Sequence, residues 1–128
     1  METPILYKSH MQFEHQQWKR EIAFWTEELK FFNNRLNELS TYWENKKGLF
    51  QIAYYKDKFE LQRKFTVDLL ETIEERKNQV PLESEVGTII SDTQLLKGHI
   101  EFRNKMNTQR ELYAELKRNY FKFFDKYV

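Results

Sequence analysis

Cysteine is absent from this chain of 128 residues, and its absence removes several kinds of chemistry. Without thiols there is no disulfide, no thiolate nucleophile, and no zinc or iron–sulfur site built on cysteine. Glycine and proline are scarce as well, at 3 and 2 residues. Because these two residue types are the main interruptions of regular backbone, their scarcity favours long helices.

Long apolar runs and blocks of one charge are also missing. No run approaches the roughly 20 apolar residues that span a bilayer. The opening "METPILYKSHMQF" lacks the basic region and apolar core of a signal peptide, so we expect a cytoplasmic protein. The 21 basic and 20 acidic residues are interspersed, which leaves no basic stripe for phosphates. Neither a membrane nor a nucleic acid is therefore expected as a partner.

Aromatic and charged residues are what the chain has in abundance. Aromatics make up 16% of the residues and charged residues 32%. Disordered chains are poor in aromatics, so this composition predicts an ordered protein whose helices pack through ring-rich faces. The length predicts one domain, residues 1–128.

The first helix is predicted at about residues 10–46 by apolar residues at alternating intervals of 4 and 3. Ser9 is its expected N-cap, and Gly48 is expected to end it. Such a heptad pattern, sustained over four heptads, is typical of a coiled coil. The buried positions predicted for this helix are Met11, His15, Trp18, Ile22, Trp25, Leu29, Phe32, Leu36, Leu39 and Trp43.

Two more helices are predicted at about 49–79 and 91–127. Pro81 ends the second helix, and the "SDTQ" of residues 91–94 has the pattern of a capping box for the third. The buried stripe of the second helix is Ile52, Tyr55, Phe59, Gln62, Thr66, Leu69 and Ile73. That of the third is Asp92, Leu95, His99, Phe102, Met106, Gln109, Tyr113, Leu116, Tyr120, Phe123 and Tyr127.

The predicted fold is all-α, an up-down-up bundle of three long helices. The alternative is a four-helix bundle with a short extra helix at 82–90.

Two histidines, His15 and His99, fall on the predicted buried stripes. Counting residues along the helices from the two turns, to find which positions lie side by side, puts His15 near Asp92 and His99 near Asp68. The two rings would then lie roughly 10–12 Å apart along the bundle, at about 1.5 Å per residue. We expect each to be a core histidine with its own hydrogen-bond partner, because an unpaired buried polar group is costly. The expected partners are Asp92 for His15, and Asp68, Glu71 or Thr72 for His99.

A metal-binding bundle is the alternative interpretation, with His15, His99, Asp92 and Asp68 as ligands. It requires the two histidines to be closer than this residue count predicts. They would come together if the predicted alignment of the helices along the bundle axis were wrong by two helical turns. Di-iron bundles use Glu-x-x-His, and no Glu stands three residues before His10, His15 or His99. No cofactor is expected. The sequence offers no nucleophile elbow and no glycine-rich phosphate loop, so an enzyme is not expected either.

Apolar residues outside these stripes are the remaining signal. On the first helix Phe24 and Phe31 lie off the stripe, and on the second Tyr54, Leu61 and Phe65 form another face. Some such residues broaden the core, as in most globular bundles. The others would form an exposed aromatic patch, which usually marks a partner surface.

The C-terminal "KRNYFKFFDKYV" mixes lysines with aromatics, as interfacial membrane helices do. It also continues the buried stripe of the third helix, which is the interpretation we favour.

The runs "HQQWKREIAFWTEELKFFNNRLNEL" and "HIEFRNKM…ELYAELKRNYFKFF" resemble small bacterial helical-bundle proteins that have no assigned activity. The resemblance implies the bundle and no chemistry. The matching positions are His15, Trp18, Glu21, Phe24, Glu28, Leu29, Arg35, Leu36, His99, Arg103, Met106, Leu116 and Phe123.

Together these features predict a non-enzymatic helical-bundle protein that acts through protein association. Its partner would be a second copy, forming a homodimer, or another protein. The expected interface is Phe24, Phe31, Tyr54, Leu61 and Phe65.

Overall fold

The computed structural model describes residues 6–80, 90 and 92–127, except for the side chain of Tyr127. Three helices account for nearly all of them: α1 (Lys8–Tyr42), α2 (Lys46–Gln79) and α3 (Thr93–Tyr127). The all-α prediction is confirmed. Residues 81–89 lie outside the described part of the chain, so the alternative with a short extra helix at 82–90 is not tested.

The predicted buried stripes form the core. On α1 every stripe position from Met11 to Leu36 is buried, and Leu39 is partly buried, as is Trp43 directly after the helix. On α2 the whole stripe is buried apart from Tyr55, which is half-buried. On α3 the stripe is buried or half-buried from Leu95 to Phe123. Intervals of 3 and 4 residues place these side chains on one side of a helix of 3.6 residues per turn, which is why the pattern identified them.

Both ends of α1 differ from the prediction. α1 begins at Lys8, with Tyr7 in the N-cap position and no side-chain cap from the described residues. It ends at Tyr42 and not at Gly48, which lies buried in the first turn of α2. Asn45 caps α2, since its Oδ1 accepts a hydrogen bond from the backbone nitrogen of Lys47 at 2.9 Å.

Gly48 is needed for side-chain packing in this turn and does not end a helix. A Cβ atom at this position would stand 3.0 Å from the Trp43 ring. The missing side chain therefore lets the indole lie directly on the first turn of α2.

Asp92 caps α3 and does not belong to the buried stripe, which corrects its predicted place. Its side chain is exposed, and Oδ1 accepts hydrogen bonds from the backbone nitrogens of Gln94 and Leu95 at 3.0 and 3.2 Å. An Asp at this position satisfies amide groups that the first turn of a helix leaves free.

Contacts between helices define their directions. Lys19 of α1 pairs with Glu74 of α2, and Phe32 stacks on Phe59, so residue numbers rise on one helix as they fall on the other. α1 and α3 instead run in the same direction, because three ion pairs each join residues 89 apart. The pairs are Glu14–Arg103, Glu21–Arg110 and Glu28–Lys117.

These three pairs, which we call the glutamate ladder, recur every seven residues along both helices. The same offset continues one heptad further, where the Arg35 guanidinium lies 5.3 Å from the centre of the Phe124 ring. The ladder and the Arg35–Phe124 contact therefore keep one alignment of α3 along α1 over three heptads.

Candidate functional site

The two buried histidines meet in the core. The ring centres of His15 and His99 are 5.2 Å apart, and the Trp18 indole packs against both, at 5.8 and 5.0 Å. His15 is 2% exposed and His99 is 1% exposed. Two polar rings are thus in direct contact, with the Trp18 ring packed against both.

Glu14 binds His99 from the α1 side. Its Oε1 lies 3.0 Å from His99 Nε2, and Arg103 donates to both carboxylate oxygens, with Nε 2.8 Å from Oε2. Since Glu14 accepts only, His99 Nε2 carries the proton in this contact. The top rung of the glutamate ladder therefore fixes the orientation of the His99 ring.

The environment shifts the pKa of each of these groups. Burial lowers the pKa of His15 to about 4, and the neighbouring His99 and Arg76 add to the effect. Burial also lowers the pKa of His99, although Glu14 opposes the change. For Glu14 burial acts to raise the pKa, but hydrogen bonds from Arg103 and His99 outweigh it and the pKa is lowered. At neutral pH the cluster therefore holds two neutral imidazoles and one carboxylate.

The histidine partners predicted from the sequence are wrong. His15 and His99 touch and are not 10–12 Å apart, because α3 sits about two turns from the level assumed. Asp92 caps α3 and is exposed, and Asp68 is exposed too. The partner of His99 is Glu14, a residue that the sequence reasoning assigned no role.

A metal site is not formed by these residues. Within residues 6–80, 90 and 92–127, no three His, Cys, Asp or Glu side chains are grouped as a metal ion requires. Both oxygens of Glu14, the carboxylate that contacts His99, are already bound by Arg103. The ligand set His15, His99, Asp92 and Asp68 is therefore not brought together.

His15 differs from His99 in its hydrogen bonding. Neither of its ring nitrogens has a hydrogen-bond partner among the described residues. The ring forms part of the wall of a cleft of about 780 Å³ between α1 and the end of α2, which we call the His15 cleft. The other described residues that line it are Gln12, Gln16, Lys19, Arg20, Lys77, Asn78 and Val80.

An aromatic stripe lies on the outside of α1. Phe24 and Phe31, both predicted as interface residues, are each 60% exposed. Phe13 and Tyr42 are 57% and 84% exposed. At about 100° per residue all four fall within about 20° of one another around the helix. The sequence reasoning missed Phe13 and Tyr42, each of which stands 11 residues from one of the predicted pair, or very nearly three helical turns.

The other predicted interface residues form a separate group on α2. Tyr54, Leu61 and Phe65 are exposed and share one face of that helix. This face lies about 160° around α2 from Glu74, whose ion pair with Lys19 marks the side that meets α1. The α2 group is consequently not continuous with the stripe on α1.

None of the helices, as far as they are described, is long and apolar enough to cross a membrane. Comparison of the chain with known protein families, with curated proteins and with solved structures finds no match. The resemblance to bacterial helical-bundle proteins thus stays a prediction.

Proposed function

We propose that this protein is a non-enzymatic association module whose partner is a second copy of itself, bound along the aromatic stripe of α1. The observation that carries the proposal is the exposure of four large aromatic side chains, Phe13, Phe24, Phe31 and Tyr42, on one narrow face. Such rings are costly to leave in water, and contiguous apolar patches usually mark interaction surfaces.

The spacing of the stripe favours two copies of α1 packed antiparallel. Phe24 and Phe31 are centred on position 27.5, and so are Phe13 and Tyr42. A two-fold axis through this point would pack Phe24 on the partner's Phe31, and Phe13 on the partner's Tyr42. A two-fold interface must be self-complementary in this way.

Charges beside the stripe support the same orientation. Arg20 and Glu38 lie on the same flank, and antiparallel pairing would place each close to the other on the second copy. Glu27 would approach its own copy near the axis. Lys30 of the same helix contacts Glu27 at 3.4 Å and offsets that repulsion.

In this proposal each copy is an up-down-up bundle whose heptad stripes wind as a coiled coil, and the dimer works in the cytoplasm. The contact directions of the three helices and the glutamate ladder support that arrangement of each copy. The role is to join two copies and whatever they carry.

Mass in solution tests the proposal. Sedimentation equilibrium should give twice the 15.9 kDa of one chain, and Phe24→Ser with Phe31→Ser should return it to a single chain while the helical circular dichroism is kept. The matched control is Leu61→Ser with Phe65→Ser, which removes two apolar side chains of the α2 group that are also exposed, at 49% and 39%, and should leave the dimer intact. A wild-type monomer at the highest soluble concentration would refute the proposal.

Single cysteines test the orientation, because the chain has none of its own. Glu27→Cys lies beside the proposed axis and should form a disulfide between copies, which needs Cα atoms within about 7 Å. Asn34→Cys is also exposed, but in the antiparallel dimer its two copies would be about 20 Å apart, at about 1.5 Å per residue, and should not link. Equal linking at both positions would contradict the antiparallel pairing.

A further inference from the structure

We propose that the His15 cleft is a binding site for a small organic anion, held by Lys77 and Arg20 and hydrogen-bonded by the His15 ring in its wall. The site lies apart from the aromatic stripe, and Arg20 is the one residue of its described lining that also borders the stripe.

The His15 ring is the feature that points to a ligand. It is 98% removed from solvent, and neither nitrogen has a hydrogen-bond partner within the described part of the chain. A neutral imidazole has one donor and one acceptor, and leaving both unpaired in a core is costly. Because the ring lines an open cleft, a small rotation of the side chain towards the cleft would let a bound molecule supply the missing partners.

The charge of the cleft selects an anion. Its described lining holds three cations, Lys19, Arg20 and Lys77, and no Asp or Glu. Glu74, just outside the lining, contacts Lys19 at 2.6 Å and neutralises it. The charge of a ligand would therefore be met by Lys77 and Arg20.

The remaining side chains define the rest of the ligand. Gln12, Gln16 and Asn78 each offer an amide that can donate and accept, while Val80 adds an apolar contact. A volume of about 780 Å³ lies in the range of small-molecule sites. The chemistry is thus that of a compact, hydroxylated or amide-bearing molecule with a carboxylate or phosphate group.

Nuclear magnetic resonance of the histidine rings tests this directly. Protein labelled with ¹⁵N-histidine reports on three rings, with His15 in the cleft and His10 exposed elsewhere on α1. We would titrate the full chain with citrate and, separately, with inorganic phosphate at pH 7.5. The expected result is a saturable shift of the His15 nitrogens at millimolar anion, with His10 unmoved. A stronger response to citrate would identify a carboxylate ligand, and a stronger response to phosphate a phosphorylated one.

Two variants make the outcome decisive. Lys77→Gln should weaken the response about fivefold, because it removes one charge close to the anion. Lys64→Gln, exposed on the same helix and outside the cleft lining, changes the net charge equally and should have no effect. Arg20 is left unchanged because it also borders the stripe.

Failure of both anions to shift His15 up to about 20 mM, well above a millimolar dissociation constant, would overturn the proposal. Equal weakening by Lys77→Gln and Lys64→Gln would overturn it too, because it would show attraction to the surface as a whole. Neither result would bear on the dimer, which is measured by mass.

Discussion

Acid should destabilise this protein well before its carboxylates titrate, and His15 is the reason. The pKa of His15 falls from an ordinary 6.5 to about 4 in the folded chain. Between these values the unfolded chain binds a proton that the folded chain excludes. Stability is therefore greatest above pH 6.5 and is lost as the pH falls from 6.5 towards 4.

The magnitude follows from the size of the shift. Lowering the pKa of His15 by about 2.5 changes the free energy of unfolding by about 3 kcal/mol in total, at about 1.36 kcal/mol for each pH unit. About 2 kcal/mol of this should be lost between pH 7.5 and pH 5. The pKa of His99 is lowered as well, so its contribution has the same sign. Glu14, whose pKa is also lowered, acts only near and below its ordinary 4.5 and leaves this window largely to the histidines.

Urea unfolding at a series of pH values measures the effect. Circular dichroism of the helices is the suitable signal, because Trp18 packs on both histidine rings and its fluorescence would respond to their charge directly. His15→Leu should remove about 2 kcal/mol of the loss between pH 7.5 and 5. His10→Gln changes an exposed histidine on the same helix and should keep the wild-type pH dependence.

Two results would refute the reasoning. The first is a wild-type free energy of unfolding that is flat from pH 7.5 to 5. The second is the same slope in wild type and His15→Leu, which would show that His15 binds its proton equally well folded and unfolded.

Three further variants test polar side chains buried between the helices, each by urea unfolding at pH 7.5. Glu14→Gln should lower the free energy of unfolding by about 1–3 kcal/mol, since His99 and Arg103 lose a charged acceptor, whereas the exposed Glu101→Gln should stay within about 0.5 kcal/mol. Gln62→Leu with Gln109→Leu should raise stability by about 1 kcal/mol, because each glutamine buries an amide atom that no described residue satisfies; a loss would show that the two amides are satisfied. Tyr113→Phe should cost about 1 kcal/mol by removing the hydrogen bond to Glu28, and an unchanged midpoint would contradict that bond.

Periodicity alone was enough to predict the three helices and nearly all of their buried positions. A side chain repeated every 3 or 4 residues must stay on one face of a helix, whatever that face packs against. The same local rule fails at helix ends. Gly48 follows two lysines, as a helix-ending glycine often does, but its role depends on the Trp43 ring that rests on it.

Counting residues through the turns could not predict which positions of α1 and α3 lie side by side. An error in either connection shifts the count, and the connection before α3 includes residues 81–89. A better signal was present in the charges. Glu14, Glu21 and Glu28 repeat every seven residues, and so do the cations that pair with them on α3. Aligning the two series gives the offset of 89 and pairs Glu14 with Arg103. Arg103 lies one helical turn after His99, so this alignment also brings His15, the neighbour of Glu14, close to His99.

The glutamate ladder also bears on the order in which the chain folds. α1 and α2 are joined by three residues, so closing that hairpin costs little chain entropy. Each rung of the ladder instead joins residues 89 apart, and such pairs become favourable only after most of the chain has been gathered. We infer that the rungs form late, after the rate-limiting step. Weakening a rung would then leave the refolding rate almost unchanged and raise the unfolding rate. The ladder therefore chiefly slows the unfolding of the bundle.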